Sequence, residues 1–241
     1  MEKLNRIFLT GDIHSSISIR KLSNKNWKEG HTLNKNDYVI ILGDFGLIWE
    51  EYRTKESDFW LKWLDDQPWT TLFIDGNHEN HTLLNKLPRK HLFGSKVGIV
   101  SHSIFHLLRG EVYNINKKKI LTIGGATSHD KEYRVYGKSI WHEEDITHDD
   151  ISTAKENVKN NLFEVDYVLT HCAPPKIAFK CIDNRNSFYQ PDTSENQLDW
   201  FFESSRLKYK KHYFGHYHQD NVKDEYENKW ECLYHKIIEI K

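Results

Sequence analysis

Five short apolar runs in this chain each stop abruptly at a cluster of glycine, carboxylate, amide or imidazole. Ile7-Phe8-Leu9-Thr10 stops at Gly11-Asp12-Ile13-His14, and Tyr38-Val39-Ile40-Ile41-Leu42 stops at Gly43-Asp44. Thr71-Leu72-Phe73-Ile74 runs into Asp75-Gly76-Asn77-His78, and Asp166-Tyr167-Val168-Leu169 into Thr170-His171. His212-Tyr213-Phe214 leads to Gly215-His216-Tyr217-His218. Apolar runs this short, without polar alternation, suit strands covered on both faces.

Helix-like stretches lie between them. In residues 57–64, Phe59, Trp60, Trp63 and Leu64 fall on one helical face. Residues 147–158 carry a polar cap followed by Ile151, Ala154 and Val158, and Ser194-Glu195-Asn196-Gln197 reads as a capping box opening a helix through Phe201. Strands alternating with helices predict an α/β fold with its helices outside, in which ligands bind at the carboxyl ends of the strands. Residues 97–123 look different: short strand-like pieces flank Arg109-Gly110 and suggest hairpins. No repeat or linker-like cluster of proline and glycine interrupts the chain, so a single domain over residues 1–241 is expected.

Fifteen histidines ask for a chemical explanation. The strand ends collect Asp12, His14, Asp44, Asn77, His78, His171, His216 and His218. Carboxylate oxygen, amide oxygen and imidazole nitrogen form a mixed donor set that suits Mn²⁺, Fe or Zn²⁺ better than Ca²⁺ or a thiolate site. Seven of these eight could serve as metal ligands if the strand ends converge, which exceeds one tetrahedral ion and suits two ions sharing a carboxylate. On an extended chain, residues two apart point to one side, so Asp12 and His14 could grip one ion together, as could His216 and His218. The glycine before each cluster permits a sharp turn and close backbone approach.

The ordered motifs Gly11-Asp12-Ile13-His14, Gly43-Asp44, Gly76-Asn77-His78-Glu79, His171 and Gly215-His216-Tyr217-His218 resemble those of the calcineurin-like metallophosphoesterases, and they span nearly the whole chain. The resemblance implies a four-layer α/β/β/α sandwich with a dimetal site at the strand carboxyl ends. It implies two divalent ions, with manganese the first expectation and iron or zinc the alternatives. Carried over by position, Asp12, His14, Asp44 and His218 would hold one ion. Asp44, Asn77, His171 and His216 would hold the other, with Asp44 bridging. His78 would be catalytic: not a ligand, but near the attacked phosphorus, where it could bind the phosphate or protonate the leaving oxygen. A metal-bound hydroxide would then hydrolyse a phosphate ester.

The second motif departs from the protein serine/threonine phosphatase branch, which resembles Gly-Asp-x-x-Asp-Arg-Gly. Here Phe45-Gly46-Leu47-Ile48 follows Gly43-Asp44, so the second aspartate and the arginine are missing. A phosphodiesterase acting on a nucleotide or similar small ester is therefore the leading expectation, with a phosphomonoesterase or protein phosphatase as the alternative. A non-catalytic protein-binding scaffold of this fold should have lost ligands, and none is missing. Gly124-Gly125 at a strand end would permit backbone approach to a ligand. Arg134 could clamp a phosphate and Trp141 could stack on a base.

With 34 basic and 35 acidic side chains, the chain offers no broad field for nucleic acid or a membrane surface. The lysine runs at 117–119 and 208–211 read as solvated clusters. No apolar run is long enough for a transmembrane helix or a signal peptide. Cys172, Cys181 and Cys232 are odd in number and lack C-x-x-C spacing, which suits a reducing compartment. A cytoplasmic protein is expected, while oligomeric state leaves no trace in the sequence. His31, His81, His91, His102, His106 and His235 read as ordinary surface or half-buried residues.

Overall fold

A computed structural model describes residues 5–182 and 189–241. The five apolar runs form β1 (Ile7–Thr10), β2 (Tyr38–Leu42), β3 (Thr70–Ile74), β9 (Tyr167–Thr170) and β10 (Lys211–Phe214). The other strands are β4 (Arg89–Leu92), β5 (Ser95–Ile99), β6 (Ile104–Leu107), β7 (Val112–Ile115), β8 (Lys118–Ile123), β11 (Trp230–Cys232) and β12 (Ile237–Ile240). Among the described residues five α-helices accompany them: α1 (Lys55–Asp65), α2 (His81–Asn85), α3 (His148–Asn160), α4 (Pro175–Cys181) and α5 (Thr193–Ser204).

The strands make two sheets. One runs β12-β1-β2-β3-β6-β5-β4 and the other β11-β10-β9-β8-β7. Within the first, β1, β2, β3 and β6 are parallel, and within the second, β8, β9, β10 and β11 are parallel. The alternation hidden in the apolar runs now resolves. Ile7, Leu9, Ile40, Leu42, Leu72 and Ile74 face Tyr113, Ile115, Ile120, Leu169 and Tyr213 across the space between the sheets. Phe8, Val39, Ile41 and Phe73 point the other way and pack under Trp60, Leu61 and Leu64 of α1, with Ile19, Leu22, Trp27 and Trp69. Leu121, Ile123 and Val168 likewise pack under Ile151, Ala154 and Val158 of α3 and Leu198 and Phe201 of α5. Helix, sheet, sheet and helix therefore stack as the expected four layers. Burying both faces of each central strand requires the unbroken apolar runs.

Two local expectations are corrected. The expected hairpins form on either side of Arg109-Gly110, but the dipeptide is not itself a hairpin turn. It carries the chain from β6 in the first sheet to β7 in the second, while the hairpins join β5 to β6 and β7 to β8. The capping box of α5 is Asp192 with Glu195, two residues earlier than the Ser194 reading. Aspartate caps as well as serine, and glutamate then stands at the third helical position, where it can reach back. Ser194 instead accepts hydrogen bonds from Ile146 N and Thr127 Oγ1. The cap of α3 is Thr147 with Asp150. All three cysteines are free and buried. Among the described residues no helix is long and apolar enough to cross a membrane.

Candidate metal centre

The carboxyl ends of β1, β2 and β3 meet those of β9 and β10 where the sheets' edges converge. One oxygen or nitrogen from each of Asp12, His14, Asp44 and His218 lies within 4.8 Å of all the others. His14 Nε2 is 3.7 Å from Asp12 Oδ2 and 3.6 Å from Asp44 Oδ2. His218 Nε2 lies 3.1 Å from Asp12 Oδ2 and 2.8 Å from His14 Nε2. Asp12 Oδ2 is nevertheless buried without a hydrogen-bond partner. An orphaned buried carboxylate oxygen facing two imidazole nitrogens is an expensive arrangement unless a cation sits between them. The donor set therefore fits a divalent ion.

Beside it stands a second group. His171 Nε2 is 3.2 Å from Asp44 Oδ1 and 3.3 Å from Asn77 Oδ1. His171 Nδ1 donates to Leu42 O at 2.7 Å, which aims Nε2 at Asp44 and Asn77. The His216 ring lies 5.0 Å from that of His171, and its backbone N donates to Asp12 Oδ1 at 3.1 Å. Asp44 faces both groups, one oxygen toward each. Oxygen and nitrogen donors in this number could hold a second ion.

Electrostatics carry the same message. Burial opposes charge on Asp44, yet His171, by field and contact, holds its carboxyl well below the usual range. Burial likewise disfavours the His171 imidazolium, but Asp44 and Asp12 raise its pKa to about 10. Two buried carboxylates thus draw positive charge onto the nearest available group. Burial keeps His14 and His216 below the ordinary histidine value, and His216 falls to about 3. Neutral imidazoles beside anionic carboxylates are what a divalent cation requires.

The candidate ligands converge by turns and not by extension. His14, Asp44, His216 and His218 have φ of 44°, 48°, 66° and 50°. The left-handed region is uncommon for residues bearing a Cβ and is concentrated at functional sites. This corrects the expectation that Asp12/His14 and His216/His218 pair along an extended strand. Asp12 and His14 do meet, but the turn sends His218 toward His14 and His216 toward His171. Gly43 and Gly76 permit the close packing. A Cβ on Gly43, where φ is +91°, would stand 2.1 Å from His171 Nδ1, and one on Gly76 would stand 2.2 Å from Asp44 Oδ1.

His78 lies apart from the four-residue cluster. Its backbone N donates to Asp44 Oδ1 at 2.8 Å, and its ring stands edge-on to His14 at 5.1 Å. Arg134 Nη2 is 3.2–3.3 Å from that ring, while Arg134 Nε pairs with Asp130 at 2.7 Å. A cavity of about 360 Å³ opens from His14 and His78 and is walled by Ile17, Leu47 and Trp49, with Glu50 and Glu56 at its rim. Trp141 does not offer a free face for stacking. It is 4% exposed and packs edge-on against Trp49, behind the cavity wall. Gly124 and Gly125 do not meet a ligand either. Their missing side chains make room for Asp75 Oδ1 and the Arg109 guanidinium, 2.5 and 2.6 Å from would-be Cβ atoms.

Several supporting residues escaped sequence reasoning. Asp75, next to the Gly76 turn, is buried against Arg109 (Nε–Oδ2 2.7 Å) and His106 (Nε2–Oδ1 3.0 Å). Arg109 also donates to the carbonyls of Glu143, Glu144 and Asp145 and so ties the β8–α3 connection to the β3 end. His106 and His81 are buried here, contrary to the surface or half-buried reading. Ser128 Oγ accepts from Asn77 Nδ2 at 3.1 Å and so turns Asn77 Oδ1 toward His171. Glu79 accepts from Phe45 N and Gly46 N and thereby fixes the turn after Asp44. Tyr217, between His216 and His218, donates to buried Glu195 at 2.9 Å. Glu79 alone had a sequence signal, its place beside Asn77-His78. The others are single polar residues whose partners lie far along the chain.

A four-layer sandwich with clustered carboxylates, an amide and imidazoles at converging strand ends defines a metal-dependent phosphoester hydrolase of the two-sheet class. The family model for calcineurin-like phosphoesterases matches residues 5–220, and the chain belongs to that family. Membership carries metal-dependent hydrolysis of phosphoric esters. No curated protein matches the chain significantly.

Proposed function

We propose that the chain hydrolyses a small phosphodiester using two divalent ions, manganese first among them. In this reading Asp12, His14, Asp44 and His218 hold one ion, and Asp44, Asn77, His171 and His216 hold the other. The ions activate water and polarise the phosphoryl oxygens when bound. The protein's own groups supply the rest. Arg134 stands beside His78, where its guanidinium can accept a phosphoryl oxygen's charge while Asp130 steadies it. The His78 imidazole, held below its ordinary pKa by burial and by Arg134 among its neighbours, would bind or protonate the leaving oxygen.

The observation that favours a diester is the cavity beside His14 and His78. A monoester has one substituent to seat, whereas a diester has two. A half-apolar recess on the His78 side gives the leaving alcohol a place with Trp49 and Leu47, while the other substituent faces solvent. The test is kcat/KM for bis(p-nitrophenyl) phosphate against p-nitrophenyl phosphate at saturating Mn²⁺. A diester preference supports the reading. A monoester preference returns the alternative, a phosphomonoesterase or protein phosphatase.

A further inference from the structure

His218 is the most exposed of the clustered donors, with 48% of its side chain open to solvent. His171 is aimed by a hydrogen bond from Nδ1 to Leu42 O, but no such bond holds His218 Nδ1 among the described residues. A ligating imidazole without a partner on its far nitrogen is free to rotate, and that freedom is lost on binding a metal. Beyond the contacts of its Nε2 with Asp12 and His14, what restrains the His218 ring is an aromatic face. The Tyr234 ring stacks on it with centroids 4.5 Å apart and planes 24° from parallel.

Tyr234 is itself firmly placed. Its backbone N donates to Asp220 Oδ1 at 2.9 Å, and the same carboxylate accepts from His235 N and Lys236 N. Its carbonyl accepts from Lys21 Nζ at 2.5 Å, and that ammonium also donates to Gly11 O and Asp12 O, each at 2.9 Å. Leu233 N donates to Phe214 O at 2.9 Å. The backbone carrying Tyr234 is thus joined to the ends of both β1 and β10, which carry Asp12 and His218. The family match stops at residue 220, so Tyr234 lies beyond it.

We propose that Tyr234 is a positioning residue that holds the His218 imidazole in its metal-ligating orientation, so that the segment after residue 220 completes one half of the metal centre. The inference rests on the reading of His218 as a ligand. Stacking of this kind contributes about 0.5–1.5 kcal/mol, or a change of about two- to tenfold in affinity.

The test is calorimetric titration of the full-length apoprotein with Mn²⁺. Wild type should bind two ions. Tyr234→Ala should weaken one of them by about two- to tenfold and leave the other unchanged, and Tyr234→Phe should restore it. Adding Tyr234→Ala to His218→Ala should then have no further effect, because the interaction has already been removed. The inference fails if Tyr234→Ala leaves both affinities unchanged. It fails too if both weaken together with a fall in Tm, or if the two substitutions add. Should His218→Ala itself leave both affinities intact, the ligand assignment falls first and Tyr234 loses its role with it.

Discussion

Gly76→Ala is the smallest change that strikes both halves of the metal centre. The added methyl would stand 2.2 Å from Asp44 Oδ1, 2.5 Å from Asp44 N and 2.7 Å from His171 Nε2. Ordinary contact begins at 3.4 Å, so the Asp44 oxygen must recede by about 1.2 Å. It has little freedom to do so, because Oδ1 is held by His78 N at 2.8 Å and Asp44 is buried. Gly76 is not among the positive-φ glycines, so the backbone itself would accept alanine. The damage is therefore confined to space at the site. A misplacement of about 1 Å costs about 10²-fold in rate, and overpacking costs about 1–3 kcal/mol of stability. Both are read directly: kcat/KM on bis(p-nitrophenyl) phosphate across a Mn²⁺ series, and urea unfolding. Gly94→Ala is the control, since Gly94 has a φ of +85° but nothing within 4 Å of a Cβ, so it should lose some stability and no activity. If Gly76→Ala stays within threefold of wild type and binds Mn²⁺ normally, the packing at Gly76 does not shape the site.

Asp44→Asn should lower kcat/KM more than His218→Ala at saturating Mn²⁺, since Asp44 faces both groups and His218 one; the reverse order would remove the bridging role. His78→Ala should keep its metal content and lose about 10²-fold in kcat, less for a p-nitrophenolate leaving group than for an alkoxide; loss of an ion by elemental analysis would make His78 a ligand instead. Buried His212, between the Phe202 and Phe214 rings, has its pKa lowered from 6.5 to about 3 by burial. The unfolded chain therefore takes up this proton first, so the contribution is whole above pH 6.5 and is lost as pH falls toward 3. Between pH 6.5 and 5 that amounts to about 2 kcal/mol. His212→Phe should flatten the pH slope of urea unfolding over that interval, and an unchanged slope would refute the account.

Much of the architecture was legible because its cause is local. A strand covered on both faces must be apolar throughout, and a strand that ends in a metal site must change character within one residue. Those two demands wrote the boundaries at Thr10, Leu42 and Ile74 directly into the chain. The helix caps were legible for the same reason, except where Asp192 and Ser194 competed for one role and the structure chose the residue with glutamate three positions on. The hairpins expected on either side of Arg109-Gly110 form, but the dipeptide itself passes between sheets, and apolar strand pieces look alike whether they pair with each other or part to different sheets.

The residues that aim the ligands follow a different logic. A ligand is recognisable because its chemistry is unusual at a strand end, whereas Ser128, Arg109, Glu195 and Tyr234 are common residues made specific by distant partners. Ser128 meets Asn77 across 51 positions, and Arg109 meets Asp75 across 34. Such contacts exist only once the two sheets have closed, so no local pattern can encode them. Closing the sheets also forces Asp44 and His171 together, and the Gly43 and Gly76 turns leave no slack between them. The buried carboxylates would repel one another there without a compensating charge. In the metal-free chain His171, raised to about 10, supplies it in part. On the proposed assignment of His171 as a ligand, a divalent ion would have to displace that proton, so metal uptake at this half should release protons and strengthen as pH rises.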